Sequence, residues 1–177
     1  MSTSSSTSTA RTGPAASVTV ALEPPRQPEV ERLLDGSTAY AQSLYPPESN
    51  FLLDVATLEA PGVAFFVARQ GGAAVGIAAL VVEAGEPDAT GPTRGELKRM
   101  FVDPSARGAG VAGALLGSIE AAARARGLDE LVLETGPLHH AAIALYRRHG
   151  FRDIPQFGQY VGEEFSVCMA KELSPLA

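Results

Sequence analysis

One segment constrains this chain more than any other: Asp103-Pro104-Ser105-Ala106-Arg107-Gly108-Ala109-Gly110-Val111-Ala112-Gly113, which turns an apolar strand into a long helix through a glycine-rich loop. Glycines let backbone N–H groups approach a ligand closely, and the first turn of any helix leaves four N–H donors unpaired at its positive end. Together these make an anion site, most naturally for phosphate, formed by the backbone of Gly108, Ala109, Gly110, Val111 and Ala112. Arg107 adds a charge-assisted contact. No Gly-Lys-Ser/Thr follows, so this is not a Walker loop. Gly108, Gly110 and Gly113 formally match the dinucleotide pattern, and Glu134 falls near where that fold wants a ribose acid. However, Asp103 to Arg107, with a proline among them, separate the strand from the first glycine, where a dinucleotide turn leaves its strand almost at once.

Composition narrows the partners. A net charge of −6 and a pI near 5.1 argue against a generic nucleic-acid binder. No run of 18 or more apolar residues is present, so a membrane span is not expected. A single cysteine, Cys168, excludes an internal disulfide and a multi-cysteine metal site, and reads as a buried structural thiol. Residues 1–17 are rich in Ser and Thr and too poor in bulky apolar groups to offset their ordering entropy, so they read as a disordered tail. Residues 18–177 then form one domain, expected in the cytoplasm.

Hydrophobic periodicity orders that domain. Ser17–Leu22 alternates as a strand, and Pro28–Leu44 has an amphipathic helical pattern broken by Tyr45-Pro46-Pro47. Leu52–Leu58 reads as a short helix, and Val63–Arg69 and Ala74–Ala84 as a hairpin around Gln70-Gly71-Gly72. Gly85–Arg94 is a polar loop, and Glu96–Asp103 a strand. Helix Val111–Arg126, strand Leu131–Thr135, helix His139–His149 and strands Phe151–Ile154 and Glu164–Glu172 follow. A meander followed by βαβα predicts an α/β domain with a mixed sheet and helices on both faces.

The pattern Arg107-x-x-Gly110-x-Ala112 resembles the acetyl-CoA pyrophosphate loop of the GNAT superfamily of N-acetyltransferases. The resemblance extends through Glu96-Leu97-Lys98-Arg99-Met100-Phe101-Val102-Asp103-Pro104 before the loop. It continues in Ala142-Ile143-Ala144-Leu145-Tyr146-Arg147-Arg148-His149-Gly150-Phe151 after it, and the element order also matches. Leu44–Ser49 and Pro155–Tyr160 are similar to a bacterial small-molecule branch of the superfamily. The resemblance implies a mostly antiparallel sheet, acetyl-CoA as co-substrate with no metal, and direct attack of a small-molecule amine in a ternary complex.

Acetyl transfer requires a base for the ammonium, an acid for the leaving thiolate and a donor for the carbonyl oxygen. The resemblance places Glu96 where several members carry a base. The same residue also reads as a strand-edge carboxylate paired with Lys98 or Arg99. Tyr146 lies where members place a general acid near the sulfur. The backbone of Met100, Phe101 and Val102 matches the strand that pairs with the pantetheine arm, and Ala142 belongs to the second cofactor motif. His139 stands where members often have Asn, which alters one cofactor contact. Strand alternation places Glu96, Lys98 and Met100 on one face.

The acceptor pocket is expected from Tyr45, Glu48, Lys98, Arg99, Phe157 and Tyr160. The acidic net charge favours a cationic amine, whereas Lys98 or Arg99 suits a substrate carboxylate, and the sequence leaves both open. It also leaves open a homodimer and a non-catalytic acyl-CoA sensor on the same fold.

Overall fold

The computed structural model describes residues 17–82 and 91–173 of the 177-residue chain. The expected tail, apart from Ser17, and the greater part of the Gly85–Arg94 loop lie outside the described residues. In chain order the elements are β1 (Val18–Leu22), α1 (Pro28–Gln42), α2 (Val55–Leu58), β2 (Val63–Gln70), β3 (Ala73–Val81), β4 (Arg94–Val102), α3 (Val111–Ala125), β5 (Glu130–Thr135), α4 (His140–Arg148), β6 (Arg152–Ile154) and β7 (Val167–Glu172). Three 3₁₀ turns, Pro47–Ser49, Pro104–Ala106 and Gly158–Tyr160, lie between them.

The strands form one sheet in the order β1-β2-β3-β4-β5-β7-β6. Among the described residues only β4 and β5 pair in parallel. The expected mixed, mostly antiparallel sheet is therefore observed. α3 and the Tyr146 face of α4 cover one side, packing Leu115, Leu116 and Ile119 on Leu80, Leu97, Leu131 and Leu133. α1 and α2 cover the other, packing Val30, Leu33 and Leu58 on Phe65, Val67, Ile77 and Phe101. The last strand begins at Val167 rather than Glu164, and the expected helix over 52–58 shrinks to one turn, begun by the Asp54 carboxylate accepting from the Thr57 N–H at 2.8 Å.

One expectation fails in β4. Ile77 pairs with Phe101 but Ala79 pairs with Lys98, so Arg99 and Met100 together oppose Ala78 in a β-bulge. Arg99 takes φ 52°, the only positive φ of a non-glycine residue among the described residues. The extra residue reverses the alternation. Leu97 packs on the α3 side before the bulge, and Met100 and Val102 pack there after it, while Phe101 joins the α1 side. Met100 therefore does not share the face of Glu96 and Lys98.

Candidate active site

Two devices open a cleft in the middle of the sheet. The parallel pairing of β4 with β5 runs from Arg94↔Glu130 to Leu97↔Leu133 and goes no further, so Lys98 to Val102 has no ladder on its β5 side. Backbone groups at such an edge need a partner from elsewhere. The glycine loop then closes one end of the fork. Asp103 fixes its start by accepting from the Ser105 N–H (3.0 Å) and hydroxyl (2.6 Å) and from Arg32 of α1 (2.8 Å). These bonds pull its carboxyl down to about 2. Gly108 and Gly110 adopt φ 82° and 80°, a backbone conformation costly for other residues, and a Cβ on either would meet nothing within 4 Å. The loop therefore presents open backbone at the N-terminus of α3.

The resulting cavity is about 440 Å3 and runs from Arg107, Gly108 and Ala112 along Lys98–Val102 to α1 and the 49–52 segment. It collects many of the expected residues: Met100, Phe101, Val102, Arg107, Gly108, Ala112, His139, Ala142 and Tyr146, together with Tyr45, Lys98 and Arg99. Ala109, Gly110 and Val111 do not line it; Val111 is buried beneath the loop, where it anchors α3 in the core. Arg107 lies 5.9 Å over the Tyr40 ring.

His139 is held between aromatic rings, stacked on Tyr40 (5.4 Å) and edge-on to Tyr45 (5.5 Å). Its Nδ1 lies 3.2 Å from the Thr135 hydroxyl, and burial pushes its pKa down, favouring neutral imidazole. Tyr45 fills the space that a Cβ at Gly136 would occupy, and its hydroxyl accepts from the Leu138 N–H at 2.5 Å. That glycine allows the β5–α4 turn to pass over the ring.

The remaining expected acceptor residues sort differently. Glu48 lies in the Pro47–Ser49 turn, is exposed and does not line the cavity. Phe157 and Tyr160 form a wall behind it: Tyr160 is packed edge-on between Phe51 and Phe157. The Tyr160 hydroxyl donates to Glu96 Oε1 at 2.6 Å and accepts from Lys98 Nζ. Lys98 Nζ also lies 3.4 Å from Glu96. Glu96 thus has two partners and is not itself on the cavity surface.

A carboxylate not assigned an acyl-transfer role from sequence is on that surface. Glu134 is the first β5 residue past the fork, and alternation with Leu133 turns it to the face of Glu96 and Lys98. Burial raises its pKa, against the Ser166 hydroxyl bond (2.9 Å) that lowers it. Its signal in sequence is slight: a charged residue ending an apolar strand. Opposite it across the fork, on the α4 side, the Tyr146 hydroxyl makes no hydrogen bond among the described residues; burial pushes its pKa well up, so it stays a phenol. Cys168 pairs with Glu134 and is buried, with its thiol pKa also raised by burial.

A forked mixed sheet with a glycine turn at the fork is the architecture of acyl-CoA transferring enzymes, and the comparisons agree. Residues 29–151 match the model of the acetyltransferase (GNAT) family. A relative named IAA acetyltransferase from Azospirillum brasilense is 45% identical over 156 residues, covering 88% of this chain and 98% of the relative. A solved structure from Klebsiella pneumoniae, assigned to the acyl-CoA N-acyltransferases, superposes with a TM-score of 0.70 at 33% identity, over 89% of this chain and 98% of that one. The PaiA N-acetyltransferase of Thermoplasma acidophilum, solved with coenzyme A, shares the fold with a TM-score of 0.67 at 15% identity, over 88% of this chain and 99% of that one. This chain belongs to the GNAT family of acetyltransferases.

Proposed function

We propose that the protein transfers the acetyl group of acetyl-CoA to the amine of a small molecule by direct attack in a ternary complex. The observation that carries this reading is the fork past Leu97 and Leu133, with Glu134 on one face and Tyr146 on the other. The loop and the first turn of α3 suit the pyrophosphate, and the free edge of Met100–Val102 suits the pantetheine amides. A cavity of about 440 Å3 that must also hold this arm leaves room for a small acceptor only.

In the reaction the amine nitrogen bonds to the thioester carbonyl carbon, the C–S bond breaks, and the ammonium proton must leave as the thiolate gains one. Glu134 is our base, since its burial moves it toward the range useful at neutral pH and it lines the cavity. Glu96 holds Tyr160 and Lys98 behind it and is the second candidate for the proton. Tyr146, kept protonated by burial, supplies a hydrogen bond and a proton to the sulfur from the opposite face. A main-chain N–H of Met100–Val102 suits the carbonyl oxygen as negative charge develops on it.

The test is calorimetric titration with acetyl-CoA, CoA and NAD, followed by thiol release over a panel of amines. Binding of acetyl-CoA and CoA with amine-dependent release supports the proposal. Tight acetyl-CoA binding without turnover favours a sensing domain, and binding of NAD alone overturns both.

A further inference from the structure

Arg99 is a buried cation without a counter-charge. It is 8% exposed, and no carboxylate lies within ion-pair distance among the described residues. Arg69, only partly buried, has two such partners, Glu23 at 2.8 Å and Glu29 at 2.5 Å. Arg107, Arg126 and Arg148, which have none among the described residues, are exposed to water. Burying an unpaired charge is expensive, and a guanidinium does not escape by losing its proton. Asp35 attracts Arg99 only from a distance, and desolvation is the dominant effect on it.

The fold also maintains strain to hold this side chain where it is. The bulge gives Arg99 φ 52°, which costs a long side chain energy and persists only where the surroundings enforce it. What enforces it is α1: Nη2 donates to the Leu34 carbonyl at 2.9 Å, and Nη1 and Nη2 both reach the Thr38 hydroxyl at 3.3 Å. All these partners are neutral. The Nε–H has no partner among the described residues. Arg99 thereby stands against α1, on the face that carries Glu134, and lines the cavity.

We propose that Arg99 anchors a carboxylate of the acceptor, so that the molecule acetylated is a small amino carboxylate rather than a simple amine. The anchor binds one end by a charge-assisted hydrogen bond, and the amine at the other end is offered to Glu134 and the thioester. This rests on the acetyl-transfer reading and adds the substrate class to it.

The experiment uses the full chain and amines in matched pairs, methionine beside 3-(methylthio)propylamine and phenylalanine beside 2-phenylethylamine, with thiol release from acetyl-CoA as readout. The carboxylate member of at least one pair is expected to be preferred in kcat/KM by roughly 30-fold. Arg99→Gln is expected to raise its KM by a similar factor and erase the preference, with Arg99→Lys between. Equal or better use of the members lacking the carboxylate by the wild type overturns the inference, whether or not the variant folds. So does a loss of acetyl-CoA affinity in Arg99→Gln with the acceptor preference intact. If no amine is turned over while acetyl-CoA binds, the acetyl-transfer reading fails by itself. The anchor is then read by titrating 3-phenylpropionate into the acetyl-CoA-loaded protein: binding lost in Arg99→Gln supports it, and absence of binding by the wild type overturns it.

Discussion

Leu97 and Leu133 are the last residues paired between β4 and β5, and Glu134 stands one residue beyond them. Hydrogen bonding holds the two strands together up to that point and lets them part after it. The carboxylate is therefore fixed at the throat of the cleft by the rigid paired stretch behind it. Its environment withdraws water and raises its pKa, while the Ser166 hydroxyl orients one oxygen.

Replacing Glu134 with Gln keeps the Ser166 contact and removes the proton acceptor. The expected result is a fall in kcat of about 100-fold or more, the size of a lost general base. The rising limb of the kcat–pH profile, displaced above the ordinary carboxylate range in the parent, is expected to disappear. Steady-state kinetics from pH 5 to 9 check this. An unchanged profile in Glu134→Gln together with a lost limb in Glu96→Gln would transfer the role to Glu96.

Much of this site is legible in the amino-acid sequence. The loop from Asp103 to Gly113 is marked by its own glycines, two of which take positive φ, and the resemblance points to Tyr146 and the Met100–Val102 strand, which line the same cavity. The bulge is not legible, because residue 99 is an arginine and not a glycine, and nothing local marks it as left-handed. Alternation alone therefore puts Met100 on the wrong face. Glu134 is hidden for another reason: its position depends on where two strands, distant in sequence, stop pairing. Phe157 and Tyr160 lie near the expected place, but the Tyr160 hydroxyl turns to Glu96 and Lys98, Phe157 packs on the Tyr160 ring, and neither lines the cavity. Aromatic side chains in a loop carry no sign of which way they turn.

Tyr146→Phe separates ring packing from chemistry. The ring lies 5.7 Å from Phe151 in the core, and Phe preserves that contact. Stability is expected to change by less than about 1 kcal/mol, since the hydroxyl has no hydrogen-bond partner to lose among the described residues. kcat is expected to fall by about tenfold or more, with the KM for acetyl-CoA little altered. Urea unfolding alongside initial rates checks both halves.

Tyr160→Phe addresses the wall behind the cavity. The hydroxyl bridges Lys98 and Glu96, and its removal leaves the buried Lys98 with one acceptor fewer. A loss of about 1–3 kcal/mol is expected, the range for a buried polar group deprived of its partner. Equilibrium urea denaturation measures it, and an unchanged midpoint would show that water takes the place of the hydroxyl.

Gly110 sets the entry to α3 at φ 80°, with open space where a side chain would project. Gly110→Ala therefore meets strain but no clash, at a cost of about 1–2 kcal/mol. Gly110→Glu adds to that strain a negative charge at the helix N-terminus, beside the position proposed for the pyrophosphate. Both variants are expected to fold by circular dichroism. Acetyl-CoA affinity is expected to drop by about tenfold or more in Gly110→Glu, beyond any loss in Gly110→Ala. Equal losses in the two would trace the effect to backbone strain and remove the phosphate from this turn.

Asp103 links the loop to α1, and its carboxyl is held down to about 2 by Ser105 and Arg32. Its folded pKa is below the unfolded value near 3.9. The stability it contributes is therefore complete above about pH 4 and is lost as pH falls toward 2. Asp103→Asn removes the ionisation along with the Arg32 ion pair. Its unfolding midpoint is expected to be below the parent's at pH 7, with the difference shrinking as pH falls through that window. Urea titrations at pH 7, 4 and 2.5 check the sign. The loop start is freed in the same variant, so weaker acetyl-CoA binding at pH 7 is expected with it. A stability difference that does not depend on pH would mean that Asp103 acts through its turn geometry alone.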